Sequence, residues 1–351
     1  MRYYLPDRAN VHPDLAAAAP LGELGPGDPA IVSTWPRLQA GLGALLGTRR
    51  RVMIDPLPPS VWFDAVLRTA VTRRVLVLVT GPAGERFARD AEACGKEAVR
   101  LHVPPGRALS PEVARQFLDG PSFDAVLIPH VESGTGLLAP LTELAAVWRS
   151  ESCVVIADLT HSLGSVPLDV DAAGIDFAVG ASHLSLGLPP GLSFATASER
   201  LLARVRDTAA RGWALDLLRH SAAAERGRPL HLPSARLMGA LLRQLERIEA
   251  MGGIGARAGR HRAMRQHVDA WADARGFELA APVAQRAPML SVLRTGARSA
   301  AALIEELHER GVAVATPLDD RSDRAIAFGH MADLELDELD VLLPLLGEVM
   351  D

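Results

Sequence analysis

Between Arg51 and Phe194, short continuous apolar runs alternate with stretches of helical spacing, and this alternation limits the fold more than any other feature. Val75–Thr80 (VLVLVT), Ala125–Pro129 (AVLIP) and Val154–Ala157 (VVIA) are rich in β-branched residues and lack polar alternation. They read as strands buried on both faces. Phe177–Val179 is a further strand candidate. Between them, Glu85–Cys94, Pro111–Leu118 and Leu141–Ser150 place apolar residues at helical spacing, with Ser110 and Thr142 as N-cap signals. Strands alternating with helices predict an α/β fold around a mainly parallel sheet, covered on both faces. Ligands of such sheets bind beyond the carboxyl ends of the strands, so the loops after Val79, Ile128 and Ala157 are where chemistry is expected.

The rest of the chain reads differently. Gly187-Leu-Pro-Pro-Gly191 marks a tight turn. Pro233 opens a long helical region that breaks at Gly252-Gly253 and resumes to about Arg275. A β-α-β-α run follows: Met289–Leu293, Ala300–Arg310, Val312–Ala315, Ala325–Phe328 and Glu335–Val349. With 351 residues, 48% of them hydrophobic, the chain can bury a large core and a smaller one. The expected division is an N-terminal arm over 1–30, extended at Pro20–Pro29, then a large α/β domain over 31–250 and a small α+β domain over 251–351. Net charge is −5 with no basic block, which argues against nucleic acid and anionic membrane as partners. No run of 18 apolar residues exists, the N-terminus has no apolar leader core, and Cys94 and Cys153 form no disulfide framework. A cytoplasmic location is expected.

Four motifs come in order between residues 75 and 200: Thr80-Gly-Pro-Ala-Gly-Glu-Arg86, His130-Val-Glu-Ser-Gly-Thr-Gly136, Asp158-Leu-Thr-His-Ser-Leu-Gly164 with Val166-Pro-Leu-Asp-Val-Asp171, and Gly187-Leu-Pro-Pro-Gly-Leu192. Together they resemble the alanine–glyoxylate (serine–pyruvate) branch of the class V aminotransferases. Tyr3-Tyr-Leu-Pro6 and Gly329-His-Met331 resemble that family's opening arm and closing motif. The resemblance implies the fold type I architecture of pyridoxal phosphate (PLP) enzymes. It also implies a homodimer, with the arm wrapping the partner.

At the positions where that family contacts its cofactor, this chain differs. The Schiff-base lysine, five residues before the Pro-Pro-Gly turn, corresponds to Leu184, and the chain's one lysine is Lys96. The phosphate cup corresponds to Asp55-Pro-Leu-Pro-Pro-Ser60, where three prolines remove three N–H donors. The ring-stacking aromatic corresponds to Ala83, and the carboxylate-binding arginine to Ala327, with Arg324 nearby. Asp158 matches the residue that pairs with the pyridine nitrogen. From these differences the sequence predicts that PLP binding is lost and that no cofactor is used.

In the vacated pocket, Asp158, His161 and His183 are the candidate catalytic residues. Asp158 and His161 are spaced to form a carboxylate–imidazole pair that raises the basicity of the ring. His130, Glu132, Ser133, Thr135, Ser182 and His231 are candidates for binding a small-molecule substrate; His231 falls where the family's partner subunit reaches the phosphate. Ser182 and Ser185 flank His183, but no nucleophile-elbow motif accompanies them. No His-x-His or His-x-x-x-His spacing is present, so no metal is expected. The expected function is PLP-independent acid–base chemistry: an isomerisation, dehydration, cyclisation or condensation. The alternatives are a non-catalytic binding protein, or a silent partner of an active relative, and, third, non-covalent use of pyridoxamine phosphate with His183 as the base, against which the proline-rich cup argues.

Overall fold

The computed structural model describes residues 1–20, 28–104, 109–116, 122–209, 211–317 and 323–351. Seven strands form the central sheet: β1 (Val52–Asp55), β2 (Arg74–Val79), β3 (Glu97–His102), β4 (Ala125–Pro129), β5 (Val154–Asp158), β6 (Phe177–Ala181) and β7 (Ser193–Ala197). Their order is β1-β7-β6-β5-β4-β2-β3. Neighbours from β6 through β3 pair in parallel, while β7 runs antiparallel to both β6 and β1. Six strands therefore share one direction. Every residue of β4, β5 and β6 is buried, which is why their sequences read as unbroken apolar runs rather than alternating ones.

Helices cover the sheet and set the cavity's walls. Those that matter most are α1 (Pro29–Leu46), α2 (Pro59–Ala70), α3 (Pro82–Ala93), α4 (Leu217–Glu225), α5 (Ala235–Ala250) and α6 (Gly253–Arg275). Both α2 and α3 open on proline, whose fixed φ and missing N–H suit the first helical position. The helix after β4 spans Leu141–Trp148 and is capped at Pro140, so Thr142 lies inside it and is not its cap. Ser110 does cap its helix, accepting from the Val113 N–H; Phe117 and Leu118, the end expected for that helix, lie outside the described residues.

Two large apolar cores result, with a third, smaller cluster around Leu184, Met289 and Met331. The larger packs the sheet between helices, from Leu15 to Ala281. The second joins the C-terminal part of α6 to the strands Leu290–Arg294 and Ala325–Gly329 and to the helices Ala300–Glu309 and Leu336–Met350. The first residues serve this second core. Arg2–Tyr3 pairs in parallel with Val312–Ala313, Tyr4 is buried, and its hydroxyl donates to the Glu338 carbonyl at 2.7 Å. The N-terminal end of the expected arm thus packs on its own chain. Of the stretch Pro20–Pro29, residues 21–27 lie outside the described residues, and Pro29 begins α1.

Arg257 of α6 ties the loops after β5 and β6 to the segment before the last helix. Its buried guanidinium donates to the carbonyls of Gly164 (2.9 Å) and Ser185 (2.8 Å) and pairs with Asp333 at 2.6 Å. Gln244 of α5 donates to the Leu186 carbonyl at 2.6 Å and to Asp333 at 2.9 Å. Both clamps fix the loop after β6, which carries His183 and Leu184.

Candidate active site

Because six strands point the same way, one edge of the sheet gathers their carboxyl ends: Asp55 on β1, Gly81 after β2, His130 after β4, Asp158 on β5 and Ser182 after β6. A cavity of about 390 Å³ opens there. Asp158, His161, His183 and Ser133 line it, so four of the nine residues proposed from sequence come together. Leu184 and Ala83 also line it, as do Ser60 and Phe63 from α2, Arg86 from α3, Thr160 and Asp7. Arg86 lies in a motif already singled out in the sequence; Asp7 has no local signal, since the fold alone brings the N-terminal segment over the pocket.

The remaining five candidates do not line this cavity. His130 is buried, its Nδ1 is 2.9 Å from the Ser162 hydroxyl, and burial pushes its imidazole down to about 4. Glu132 accepts from the backbone N–H groups of Ala83 (3.0 Å), Gly84 (3.2 Å) and Gly134 (3.1 Å). It therefore caps α3 with a negative charge, as the helix dipole favours, although burial still raises its carboxyl above the ordinary range. Gly81 is needed beside it, because a Cβ there would fall 2.7 Å from the Glu132 side chain. Thr135 is buried with Gly136 against Leu290 and Arg286 rather than on the cavity, and its hydroxyl has no partner. Ser182 donates to the Pro189 carbonyl at 2.9 Å and accepts from the Leu192 N–H at 3.3 Å, closing the Pro-Pro turn. His231 packs against Asp55.

The expected Asp158–His161 pair is not formed. Asp158 accepts from the Thr160 N–H at 2.9 Å, while His161 Nε2 is buried without a partner. Burial, and then the neighbouring His183, push the His161 imidazole down to about 4, so it is neutral and weakly basic near pH 7. His183 is half-buried, and its imidazole is lowered by burial with partial compensation from Asp7. Burial raises the Asp158 carboxyl, which the N–H of Thr160 offsets only in part.

The family's cofactor can be tested against this lining. A buried carboxylate without a cation bonded to it suits a pyridinium nitrogen, whose charge would relieve the cost of its desolvation. Ser60 and Arg86 place donors on the cavity wall that suit a phosphate. A Schiff base does not fit. Leu184 presents an apolar side chain, and Lys96 sits just before β3, at the opposite edge of the sheet. A six-residue strand is about 20 Å long, far beyond a lysine's reach. Arg324 is exposed and donates to the Gly296 carbonyl, away from the cavity, and Ala327 is buried in the strand Ala325–Gly329.

Residues 73–317 match the family described as aminotransferase class-V. An uncharacterized aminotransferase of Methanocaldococcus jannaschii is 34% identical over 209 residues, 59% of this chain and 54% of that protein. A 2-aminoethylphosphonate–pyruvate transaminase of Syntrophobacter fumaroxidans is 27% identical over 259 residues, 72% of this chain and 70% of that protein. The chain thus matches little more than half the length of the first relative. Among solved structures, alanine–glyoxylate aminotransferase from Nostoc sp. superposes with a TM-score of 0.91 at 24% identity, covering 99% of this chain and 95% of the other. Pyridoxamine–pyruvate aminotransferase from Mesorhizobium loti gives 0.91 at 20% identity, covering 100% and 92%. These likenesses bear out the fold type I α/β architecture. They also correct two expectations, the departure from transaminase chemistry and the absence of a cofactor. The similar proteins are transaminases by name, and the matched region contains β5 with Asp158 and the His183–Leu184 loop. PLP is therefore the cofactor to which the family points. Among the described residues, no helix is long and apolar enough to cross a membrane. The chain belongs to the class V aminotransferase family.

Proposed function

We propose that the protein moves an amino group between a small amine and an oxo acid, using a vitamin B6 phosphate held by contacts alone. The observation that carries this reading is the placement of buried Asp158 on a cavity where Leu184 stands instead of an amine. The carboxylate favours a cationic ring, and the leucine leaves no nucleophile to bond it to the chain. When bound, such a cofactor supplies an electron sink for breaking a Cα–H bond and passing on the nitrogen. The transaminases named above support the substrate class: their names join amines, among them pyridoxamine itself, to pyruvate or glyoxylate.

Each residue then has a task. Asp158 holds a proton on the ring nitrogen. Leu184 and Phe63 keep water from the reacting face. His183 moves the proton at the substrate carbon; it is neutral near pH 7 and more exposed than His161, whose value of about 4 makes it a poor base there. His161 packs beside it as an uncharged wall. Ser133 and Arg86 bind the anionic ends of ligand and substrate. A homodimer, with pockets completed at the subunit interface, belongs to this reading.

Incubating the protein with pyridoxamine phosphate and pyruvate tests it. Alanine and PLP should form together in a ratio of one to one. No conversion with any of several oxo acids, while pyridoxamine phosphate binds, would overturn the transaminase reading.

A further inference from the structure

A second cluster stands at the β1 end of the same sheet edge. Asp55 closes β1, His220 lies on α4 and His231 precedes α5. The histidines are 165 and 176 residues from Asp55 in sequence, which is why short ligand spacings did not reveal them. His220 Nδ1 is 2.9 Å from Asp55 Oδ2, and His231 Nδ1 is 3.1 Å from Asp55 Oδ1. The three ligand atoms lie within 4.8 Å of one another. The side chains of Asp55 and His220 are 1% exposed, whereas that of His231 is 25% exposed.

Hydrogen bonding fixes which nitrogen of His220 carries the proton. Its Nε2 is 2.9 Å from the Ala214 carbonyl, which can only accept, so Nε2 is the donor. Nδ1 is then the nitrogen turned toward the carboxylate oxygen, where an ion could be shared between the two. A second imidazole nitrogen converges on the same carboxylate, whose Oδ1 already accepts from the His231 N–H at 2.7 Å. A ring nitrogen oriented by a carbonyl bond on its far side is the arrangement seen around metal-ligating histidines. Two imidazoles and a carboxylate suit zinc or a neighbouring divalent transition ion. The exposed flank of His231 leaves a path of entry and an open coordination position.

We propose that Asp55, His220 and His231 bind a divalent transition-metal ion, zinc best among them. The ion would tie α4 and the segment before α5 to the end of β1. Trp62 packs on His220 with ring centroids 4.6 Å apart, and Trp213 lies 6.1 Å from His231, so both can report binding. The site needs neither cofactor nor substrate, and its test contains neither.

Untagged protein, stripped with chelator and dialysed, is titrated with Zn²⁺ by calorimetry and with Co²⁺ by visible absorption and tryptophan fluorescence. One Zn²⁺ per chain is expected, with Co²⁺ giving d–d bands of a four- or five-coordinate site and quenching fluorescence. Asp55→Asn should weaken Zn²⁺ binding by about 10²-fold or more, and His231→Asn by at least about tenfold. Melting curves check folding; should Asp55→Asn not fold, the partly exposed His231→Asn carries the comparison. The absence of stoichiometric binding, or equal affinity in the folded variants, would overturn the proposal.

Discussion

Two buried carboxylates end strands at the same edge of the sheet, yet their surroundings are opposite. Asp55, on β1, is enclosed by two imidazoles and a backbone N–H. Asp158, on β5, has the Thr160 N–H and a cavity in front of it. Burying a charge is costly unless a counter-charge or hydrogen bonds meet it. Two imidazoles converge on the first, whereas the second faces a cavity. The difference separates a compact cluster, with room for a single ion at most, from a site open to a ligand the size of a cofactor.

The predictions follow from that contrast. The largest effect is expected at His183: His183→Ala should lower turnover by about 10²–10⁴-fold, the usual range for a lost general acid or base, while pyridoxamine phosphate still binds. Normal turnover in that variant would move the proton transfer elsewhere in the cavity.

Next come the buried histidines. His130, His161 and His330 are each pushed by burial from 6.5 to about 4. The unfolded chain takes up their protons as pH falls through about 6.5, and the folded chain does so only near 4. Stability is therefore full above about 6.5 and is lost as pH falls to about 4, by on the order of 3 kcal/mol per histidine. Urea unfolding across this range should show the slope, and His161→Gln should reduce it by less than a third, because burial also lowers His183 and His261. A slope unchanged by that substitution would mean that His161 is not buried as a neutral ring.

A smaller effect is expected at Glu132. Removing its carboxylate leaves the N–H groups of Ala83, Gly84 and Gly134 without their acceptor. Glu132→Ala should cost about 1–3 kcal/mol, measured by urea unfolding, with little change in substrate affinity. A large change in KM at constant stability would restore Glu132 as a binding residue. The smallest effect concerns Ser133, which is on the cavity wall: Ser133→Ala should raise KM by up to about tenfold, as for one lost hydrogen bond, and leave Tm within a few degrees. No change in KM would remove it from the site.

Much of the sheet was legible because strand segments buried on both faces are apolar runs, as Val75–Val79 of β2, β4 and Val154–Ala157 of β5 are. The cap at Ser110 was legible for a similar local reason, since its hydroxyl answers a free N–H three residues on. The pairing of side chains was not. Asp158 and His161 are three apart in sequence, but the backbone after β5 turns the carboxylate to the Thr160 N–H and leaves His161 Nε2 without a partner. Glu132 read as a pocket group because its role depends on α3, whose N-terminus arrives some fifty residues earlier in the chain. Asp55 and its histidines were invisible for the same reason: a ligand set drawn from three distant segments has no spacing to read. Leu184 was legible as a position, but its identity alone did not determine whether a cofactor enters.

Equilibrium binding of pyridoxamine phosphate tests the central claim most directly, since this ligand has no aldehyde and cannot form a Schiff base with any lysine. The account predicts saturable, reversible binding of one molecule per chain, weakened by about 10²-fold or more in Asp158→Asn, the scale expected when a buried charge loses its partner. That variant should melt no lower than the unmodified protein, because an amide oxygen still accepts from Thr160 while the desolvated charge is gone. No saturable binding, or equal binding by Asp158→Asn, would contradict it.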